Sequence, residues 1–251
     1  LKSSADVDRA KARIIVSRGG PRDLKSIQLG IEAAHDLKNI LDKIELKKLP
    51  KYFIPLKKKL NKCEALLKLL KNVLYENLPV FIKDGGFIKK GYSKELDEVS
   101  SFRDESRQHI LEMEMQERKK TGFSSLKIKY NNVIGYFFEV TQLQKRKFIE
   151  IKDSERFIPR QSLKGAARFV TEELSNLSEA INNAAKKAID IEIAIFQELQ
   201  DLININHEDL ADISSAIARL DVASSLAEIS ILNNFIRPNI LNDESLEIIG
   251  G

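Results

Sequence analysis

The stretch TGFSSLKIKYNNVIGYFFEVTQ, residues 121–142, is the most informative segment of this sequence. Its β-branched and aromatic residues roughly alternate with polar ones, and Asn131 and Asn132 stand in the middle, where a turn would fall. This composition predicts a β-hairpin. The segments on both sides have the periodicity of long charged helices, so the hairpin is an isolated patch of sheet in a helical protein.

The two flanking helices are predicted from caps and spacing. Ser93 occupies an N-cap position ahead of several carboxylates, and the helical pattern continues to Lys120. Thr171 caps the second helix, whose apolar residues, spaced alternately by 3 and 4, predict a coiled-coil seam that runs to about Ile203. The seam residues are Leu174, Leu177, Ile181, Ala184, Ala188, Ile191 and Ile195. Paired antiparallel, such helices would place the hairpin at the tip of an arm roughly 40 Å long.

The rest of the chain predicts shorter helices around a core. They are expected in SADVDRAKARI (4–14) with a Ser cap, in 21–44, in 49–60 with breaks at Pro50 and Pro55, in 62–75 and in 208–234. A short strand is expected in KDGGFIKKGYS (83–93) and another in LEIIGG (246–251). The fold class is therefore mainly α: a helical core with two long antiparallel lever helices that carry a small antiparallel β domain at the tip.

Three parts follow from this pattern. Residues 1–120 form the helical core and the outgoing lever helix, 121–170 form the β-rich insert, and 171–251 form the returning helix and a C-terminal core helix. The sequence starts without methionine and stops at LEIIGG, so we expect a piece of a longer protein.

Composition excludes several classes of protein. Cys63 is the single cysteine among 251 residues, so a disulfide framework is excluded and a reducing, cytoplasmic compartment is expected. A buried, inert thiol is the expected role of Cys63. No apolar run approaches about 18 residues, so no membrane span is expected, and no signal peptide is visible.

Charge changes sign along the chain. Residues 121–170 contain 10 Lys and Arg against 4 Asp and Glu, whereas residues 93–120 contain 6 against 8 and residues 171–251 contain 4 against 15. A basic insert between acidic helices favours contact with a nucleic-acid backbone, because each neutralised phosphate releases condensed counterion. The candidate contact residues are Lys127, Lys129, Asn131, Asn132, Lys145, Arg146, Lys147, Arg160, Gln161, Lys164, Gly165 and Arg168.

The basic and aromatic residues of the insert also fit purely structural roles, and these stay open. Lysines on a small sheet block pairing at its edges, and the aromatics of the insert are expected to form its core rather than a platform for bases. The lysine-rich segment 46–62 is expected to be a solvated helix face, with a second DNA surface as the alternative.

Catalysis by this chain is not expected. His35, His109 and His207 lack metal-ligand spacing, and there is no phosphate-binding loop of the G-x-x-x-x-G-K-[ST] type. We therefore expect neither a metal nor a cofactor in this chain.

Several motifs resemble one known family. GYSKELDE (91–98), ERKKTGFSSLKIKYNNVIGYFFEVT (117–141) and FIPRQSLKGAARFVTEEL (157–174) are similar to the lever and clamp of the MutS family of DNA mismatch-repair proteins. DVDRAKARI (6–14) and GGPRDL (19–24) resemble the start of that family's core domain, and IARLDVASSLAE (217–228) and IRPNI (236–240) resemble the end of its lever region.

The resemblance implies a clamp that closes over duplex DNA and touches its backbone without reading sequence. It also implies a homodimeric bacterial protein, cytoplasmic and associated with the nucleoid. The mismatch reader would precede this sequence, and an ATPase domain with ATP and Mg²⁺ would follow it. A MutS-like recombination paralogue, an RNA-binding arm and a protein-binding scaffold are the alternatives.

The sequence departs from the family pattern in the clamp. Gly165 stands where an Asn is frequent, Ala167 where an acidic residue is frequent, and Pro159 where a basic residue is common. A side-chain contact at Gly165 is therefore not expected, and only its backbone amide is available. Phe137-Phe138-Glu139 has the Phe-x-Glu form of the family's mismatch wedge, but it lies in a clamp strand and is interpreted as coincidence.

Overall fold

A computed structural model describes residues 5–45, 49–151, 153–240, 242, 244 and 246–248. It divides into two compact units. The helical unit comprises Leu1–Gly19, Asp23–Leu70 and Leu202–Gly251, and the sheet unit comprises Gly20–Arg22 and Lys71–Asp201. The helices are α1 (Val7–Ile15), α2 (Pro21–Asp42), α3 (Phe53–Leu60), α4 (Glu64–Val73), α5 (Lys94–Thr121), α6 (Lys145–Ile149), α7 (Glu172–Ile205) and α8 (His207–Leu232). The strands are β1 (Lys127–Asn131), β2 (Gly135–Thr141), β3 (Ile158–Ser162) and β4 (Ala166–Val170), and 3₁₀ turns cover Ile82–Asp84 and Ser154–Arg156.

The helical unit is held by apolar faces and by a group of ion pairs. Asp212 of α8 accepts from Lys59 at 2.5 Å and from Lys62 at 2.7 Å, and Lys62 also reaches Asp209 at 2.7 Å. These pairs fix the end of α3 against the start of α8. Hydrogen bonds from the two lysines lower the pKa of Asp212 to about 2.

Two predictions about helix starts were wrong in detail. The cap of α1 is Asp6, whose carboxylate accepts from the Arg9 N–H at 2.9 Å, and the expected Ser cap at Ser4 lies outside the described residues. The helix expected over 49–60 starts only at Phe53. Pro55 does not break it, because the first turn of a helix needs no backbone donor there.

The two long helices of the sheet unit run antiparallel, as predicted. Glu95 near the start of α5 pairs with Lys187 of α7 at 2.9 Å, whereas Ile110 and Met113 share a buried cluster with Leu174 near the start of α7. Both predicted caps are present: the Ser93 Oγ accepts from the Leu96 N–H, and the Thr171 Oγ1 accepts from the Leu174 N–H. All seven seam residues are buried or partly buried.

A buried carboxylate ties α7 to the loop before α5. Glu192 is 4% exposed, and it accepts the backbone N–H groups of Gly86, Phe87 and Ile88 at 2.7, 3.0 and 3.1 Å. Three amide donors satisfy this charge without a cation. The short strand expected in 83–93 amounts to one bridge between Leu74 and Ile88.

The insert folds into a four-stranded antiparallel sheet of order β1-β2-β4-β3. The predicted hairpin is confirmed, with Asn131 opposite Gly135 across the turn. The Asn131 Oδ1 accepts the N–H groups of Val133 and Ile134, and Gly135 takes φ +80°, which favours glycine. A β-bulge at Arg160 interrupts the pairing of β3 with β4.

One face of the sheet is buried against α5, α6 and α7. Its core is aromatic: Phe148 of α6 lies 4.8 Å from Phe157 and 5.1 Å from Phe169 between ring centroids, and Phe138 packs on Phe157 at 5.3 Å. The sequence did not indicate α6. Its single buried side chain, Phe148, closes this core.

Charged groups at the end of α5 fasten the insert to the helix. The Glu117 carboxylate, 3% exposed, accepts hydrogen bonds from both Nη atoms of Arg156, one of them at 2.9 Å. One turn earlier, the Glu114 carboxylate accepts the Ile128 N–H at 2.6 Å. The insert is therefore held by an ion pair, a strand amide and the aromatic core together.

The C-terminal strand expected in LEIIGG is absent from the part of it that the structure describes. Residues 246–248 have no regular structure, and residues 249–251 lie outside the described residues.

Candidate nucleic-acid interface

The face of the sheet opposite the aromatic core carries a row of polar side chains. Lys127 of β1 lies opposite Glu139 of β2, Glu139 lies opposite Arg168 of β4, and Arg168 lies opposite Gln161 of β3. Residues in register point to the same face, so these four side chains form one line across all four strands. At roughly 4.8 Å between strands the line is about 14 Å long. We call this face, with Lys129, the outer face.

Glu139 is the centre of the outer face, and it was not among the predicted site residues. Its Oε1 accepts from the Lys129 Nζ at 2.6 Å, and its Oε2 accepts from the Arg168 Nε at 3.1 Å. Burial alone would raise the pKa of Glu139, but the hydrogen bonds from Lys129 and Arg168 outweigh it and lower this pKa below its ordinary value. Two of the predicted cations are therefore already paired in the protein.

Arg168 has further partners that fix its orientation. Its Nη1 donates to the Gln161 Oε1 at 2.7 Å, and its guanidinium carbon lies 4.6 Å from the centroid of the Phe137 ring. The guanidinium group is thus held over an aromatic side chain. Two predicted site residues, Gln161 and Arg168, are brought into direct contact.

A second set of cations collects at one end of the sheet, where β2 ends and β4 begins. Lys145 of α6 donates to the Ser162 Oγ at 3.1 Å, beside a shallow pocket of about 170 Å³ that Arg160 and Gln161 also line. Four other predicted cations, on α6, β3 and the β3–β4 turn, are exposed and have no ion-pair partner within the described ranges. They are Arg146, Lys147, Arg160 and Lys164, and we call them the free cations.

The predicted asparagines lie at the other end of the sheet. Asn131 and Asn132 belong to the β1–β2 turn, next to α7: the Tyr136 N–H donates to the Ser178 Oγ at 3.2 Å. About six residues of β2, or roughly 20 Å, separate this turn from the β3–β4 turn with Lys164 and Gly165. The structure therefore does not bring the asparagines together with the free cations.

Gly165 presents backbone only. Its carbonyl accepts the Gln142 N–H at 3.1 Å, and a Cβ added there would meet nothing within 4 Å. Steric crowding therefore does not require glycine at this position.

Phe138 and Phe169 belong to the aromatic core, as predicted, whereas Phe137 shares the outer face with Glu139 and is buried there. Phe137, Phe138 and Phe169 are each at most 2% exposed. Phe137 lies under Arg168, and this burial agrees with the interpretation of the Phe-x-Glu pattern as a coincidence. Tyr130 is half-exposed and leans on Tyr136 at 5.0 Å between centroids.

The lysine-rich segment offers fewer available charges than its sequence indicates. Lys57 pairs with Asp42, and Lys59 and Lys62 pair with the aspartates of α8. These three side chains are partly exposed and paired with aspartates, and residues 46–48 of the segment lie outside the described residues. No His, Cys, Asp and Glu cluster suited to a metal, and no helix suited to crossing a membrane, occurs among the residues that the structure describes.

Comparison with known proteins agrees with this architecture of two long helices and a small basic sheet. Residues 91–187, which include α5 and the whole insert, match the model of MutS family domain IV. Proteins described as DNA mismatch repair protein MutS align with the whole chain: that of Dinoroseobacter shibae is 37% identical over 251 residues, and that of Nitrobacter winogradskyi is 36% identical over 252. The chain spans 28% of the length of each relative.

The chain thus represents a helical arm with a β insert of the kind found in DNA-repair proteins. It belongs to the MutS family, and the insert lies within its domain IV.

Proposed function

We propose that this chain is the lever and clamp of a MutS-type mismatch-repair protein, and that its insert holds duplex DNA through backbone contacts that do not read sequence. The observation that carries the proposal is the presence of exposed cations on the outer face and at one end of the sheet, in an insert fixed to two long helices. Both relatives are described as mismatch-repair proteins, which favours this role over that of a recombination paralogue.

The geometry of the insert suits phosphates better than bases. Its cations stand on the strands, on the β3–β4 turn and on α6, a five-residue helix whose Phe148 is packed into the core, so no long helix is offered to a groove. The outer face spans about 14 Å across the strands, and a DNA strand advances about 3.4 Å per base pair, so the row covers roughly four base pairs. Exposed Lys and Arg over that length match a backbone.

The other parts of the proposed function lie in the longer protein. The lever helices would couple DNA held by the insert to an ATPase domain that uses ATP and Mg²⁺, in a homodimeric, cytoplasmic and nucleoid-associated bacterial protein. In this division of labour the chain itself performs no catalysis.

The experiment is DNA binding by fluorescence anisotropy with a labelled 30-base-pair duplex over a salt series. With about three to five phosphates neutralised, log K should fall against log salt with a slope of about −3 to −5. The triple variant R146Q, R160Q and K164Q should flatten the slope by up to about 2.7, since each lost phosphate contact contributes about 0.9.

A matched variant removes the same charge elsewhere. Lys58, Lys68 and Lys90 are exposed, and K58Q, K68Q and K90Q should leave the slope unchanged. Equal losses in both triple variants, or binding that ignores salt, would contradict the proposal. Tighter binding of double-stranded RNA than of DNA would favour an RNA-binding arm, and absence of any nucleic-acid affinity would favour a protein scaffold.

A further inference from the structure

We infer that Glu139 acts as an internal competitor for phosphate on the outer face: it holds Lys129 and Arg168 in position and weakens the grip of the insert on DNA. The inference rests on the proposed function and deepens it. Its basis is the shared use of one carboxylate by two of the cations that would otherwise meet the DNA backbone.

Both oxygens of Glu139 are engaged. Oε1 accepts from Lys129 and Oε2 accepts from Arg168, at 2.6 and 3.1 Å. Arg168 also gives its Nη1 to Gln161, at 2.7 Å. A phosphate is bound most strongly by two parallel N–H groups of one guanidinium. On Arg168 such a pair is available only if Glu139 or Gln161 is displaced.

Burial makes this competition persistent. The Glu139 side chain is 15% exposed, so it cannot turn away into solvent, whereas the Lys129 side chain is 51% exposed. A phosphate that approaches the outer face therefore meets a fixed negative charge beside the cations that attract it. Either a cation leaves Glu139 or the phosphate shares that cation, and both cost binding free energy.

Lys127 provides an internal comparison. It lies on the same strand and the same face as Lys129, two residues away, but it has no ion-pair partner among the described residues. Lys127 lies directly opposite Glu139 across the strands, but only Lys129 is hydrogen-bonded to this carboxylate, so the two lysines differ in which one Glu139 holds. If Glu139 competes with phosphate, Lys127 contributes more to DNA binding than Lys129 does.

A purely structural role for Glu139 predicts a different result. In that case the carboxylate only bridges β1, β2 and β4, and its replacement would loosen the sheet and weaken DNA binding. E139Q keeps the size of the side chain and one oxygen acceptor, so it separates the loss of charge from the loss of the bridge.

The test is the same anisotropy series with E139Q. Removal of the competitor frees one to two cations, so the slope should become steeper by about 0.9 to 1.8. Raising salt fourfold, from about 50 to about 200 mM, should then reduce the affinity advantage of E139Q roughly 3- to 12-fold. K127Q should cost more affinity than K129Q in the wild type, and K129Q should cost more in the E139Q background than alone.

The control is E150Q, which removes the same charge from an exposed position in the same insert. Equal tightening by E150Q and E139Q would overturn the inference, because the effect would then be one of net charge. E139Q that binds no tighter than wild type, with K127Q and K129Q equal, would also overturn it and leave the clamp intact. A wild type whose binding ignores the R146Q, R160Q and K164Q changes would overturn both proposals.

Discussion

The ion pair between Glu117 and Arg156 gives the sharpest prediction about the stability of the insert. Replacement of Arg156 by Met would leave a carboxylate that is 3% exposed without its main partner, although Lys120 remains 3.4 Å away. Breaking a buried pair in this way costs about 3–5 kcal/mol. The Arg156 side chain is 36% exposed, so water reaches that side of the pair and about 3 kcal/mol is expected.

The assay is hydrogen exchange at the backbone amides of β3 and β4. A chain with two compact units need not unfold in one step, so a local measurement is more informative than a global midpoint. A loss of about 3 kcal/mol should speed exchange through opening of the insert by about 150-fold, and exchange in α8 should not change.

Two variants complete this test. R160M removes the same charge from an exposed arginine and should change stability by less than about 0.5 kcal/mol. The double variant E117Q and R156M should recover part of the loss, with a coupling of about 2 kcal/mol, because a neutral amide is buried more cheaply than a lone carboxylate. If the amides of β3 and β4 exchange at the same rate in R156M as in R160M, the Glu117–Arg156 ion pair does not hold the insert.

Three further perturbations concern other parts of the chain. G135A should cost about 1–3 kcal/mol in chemical denaturation, since φ is +80° and the new Cβ would lie 2.5 Å from the Ser178 Oγ; a smaller loss in the S178A background would confirm the crowding. D212N should cost stability above about pH 4, and the difference should shrink as pH falls from 3.8 towards about 2, because the lowered pKa of Asp212 stabilises the fold only while the group is ionised. Thermal melts from pH 2 to 7 measure this difference. If the ion pairs of Asp212 did not contribute to stability, the difference in melting temperature between D212N and the wild type would not change with pH. In E192Q the side-chain NH₂ would face a backbone N–H, so the variant should lose about 1–3 kcal/mol of stability. Unchanged hydrogen exchange at residues 86–88 would contradict the role of Glu192 as their acceptor.

Local signals were sufficient for most of the fold. The caps at Ser93 and Thr171, the 3-and-4 spacing of the seam and the turn at Asn131 each depend on neighbours in sequence, and each prediction is confirmed. The predicted element boundaries were wrong where tertiary contacts determine them. α6 is a five-residue helix that exists because Phe148 fills an aromatic core, and no periodicity reveals so short an element.

The candidate site was less accessible from sequence. Basic composition identified the insert, but it counted Lys129 and Arg168 as available charges. Only the strand register shows that both meet Glu139, which lies 10 and 29 positions away in the chain. The alternation of Phe137 with Glu139 placed this carboxylate on one face with a buried ring, and that signal was present in the sequence. The contact with Lys129 depends on the register of the β1–β2 hairpin, and the contact with Arg168 depends on the pairing of β2 with β4, which no local pattern specifies.

The carboxylate of Glu192 has a mechanical consequence. A helix bonded through one side chain to three consecutive amides can neither slide along its axis nor turn about it without losing all three bonds. β4 continues directly into α7 through Thr171, and about 20 residues, or roughly 30 Å, separate that junction from Glu192. We therefore expect a displacement of β4 to be carried along α7 to the loop at residues 86–88, because these three hydrogen bonds oppose slippage of the helix.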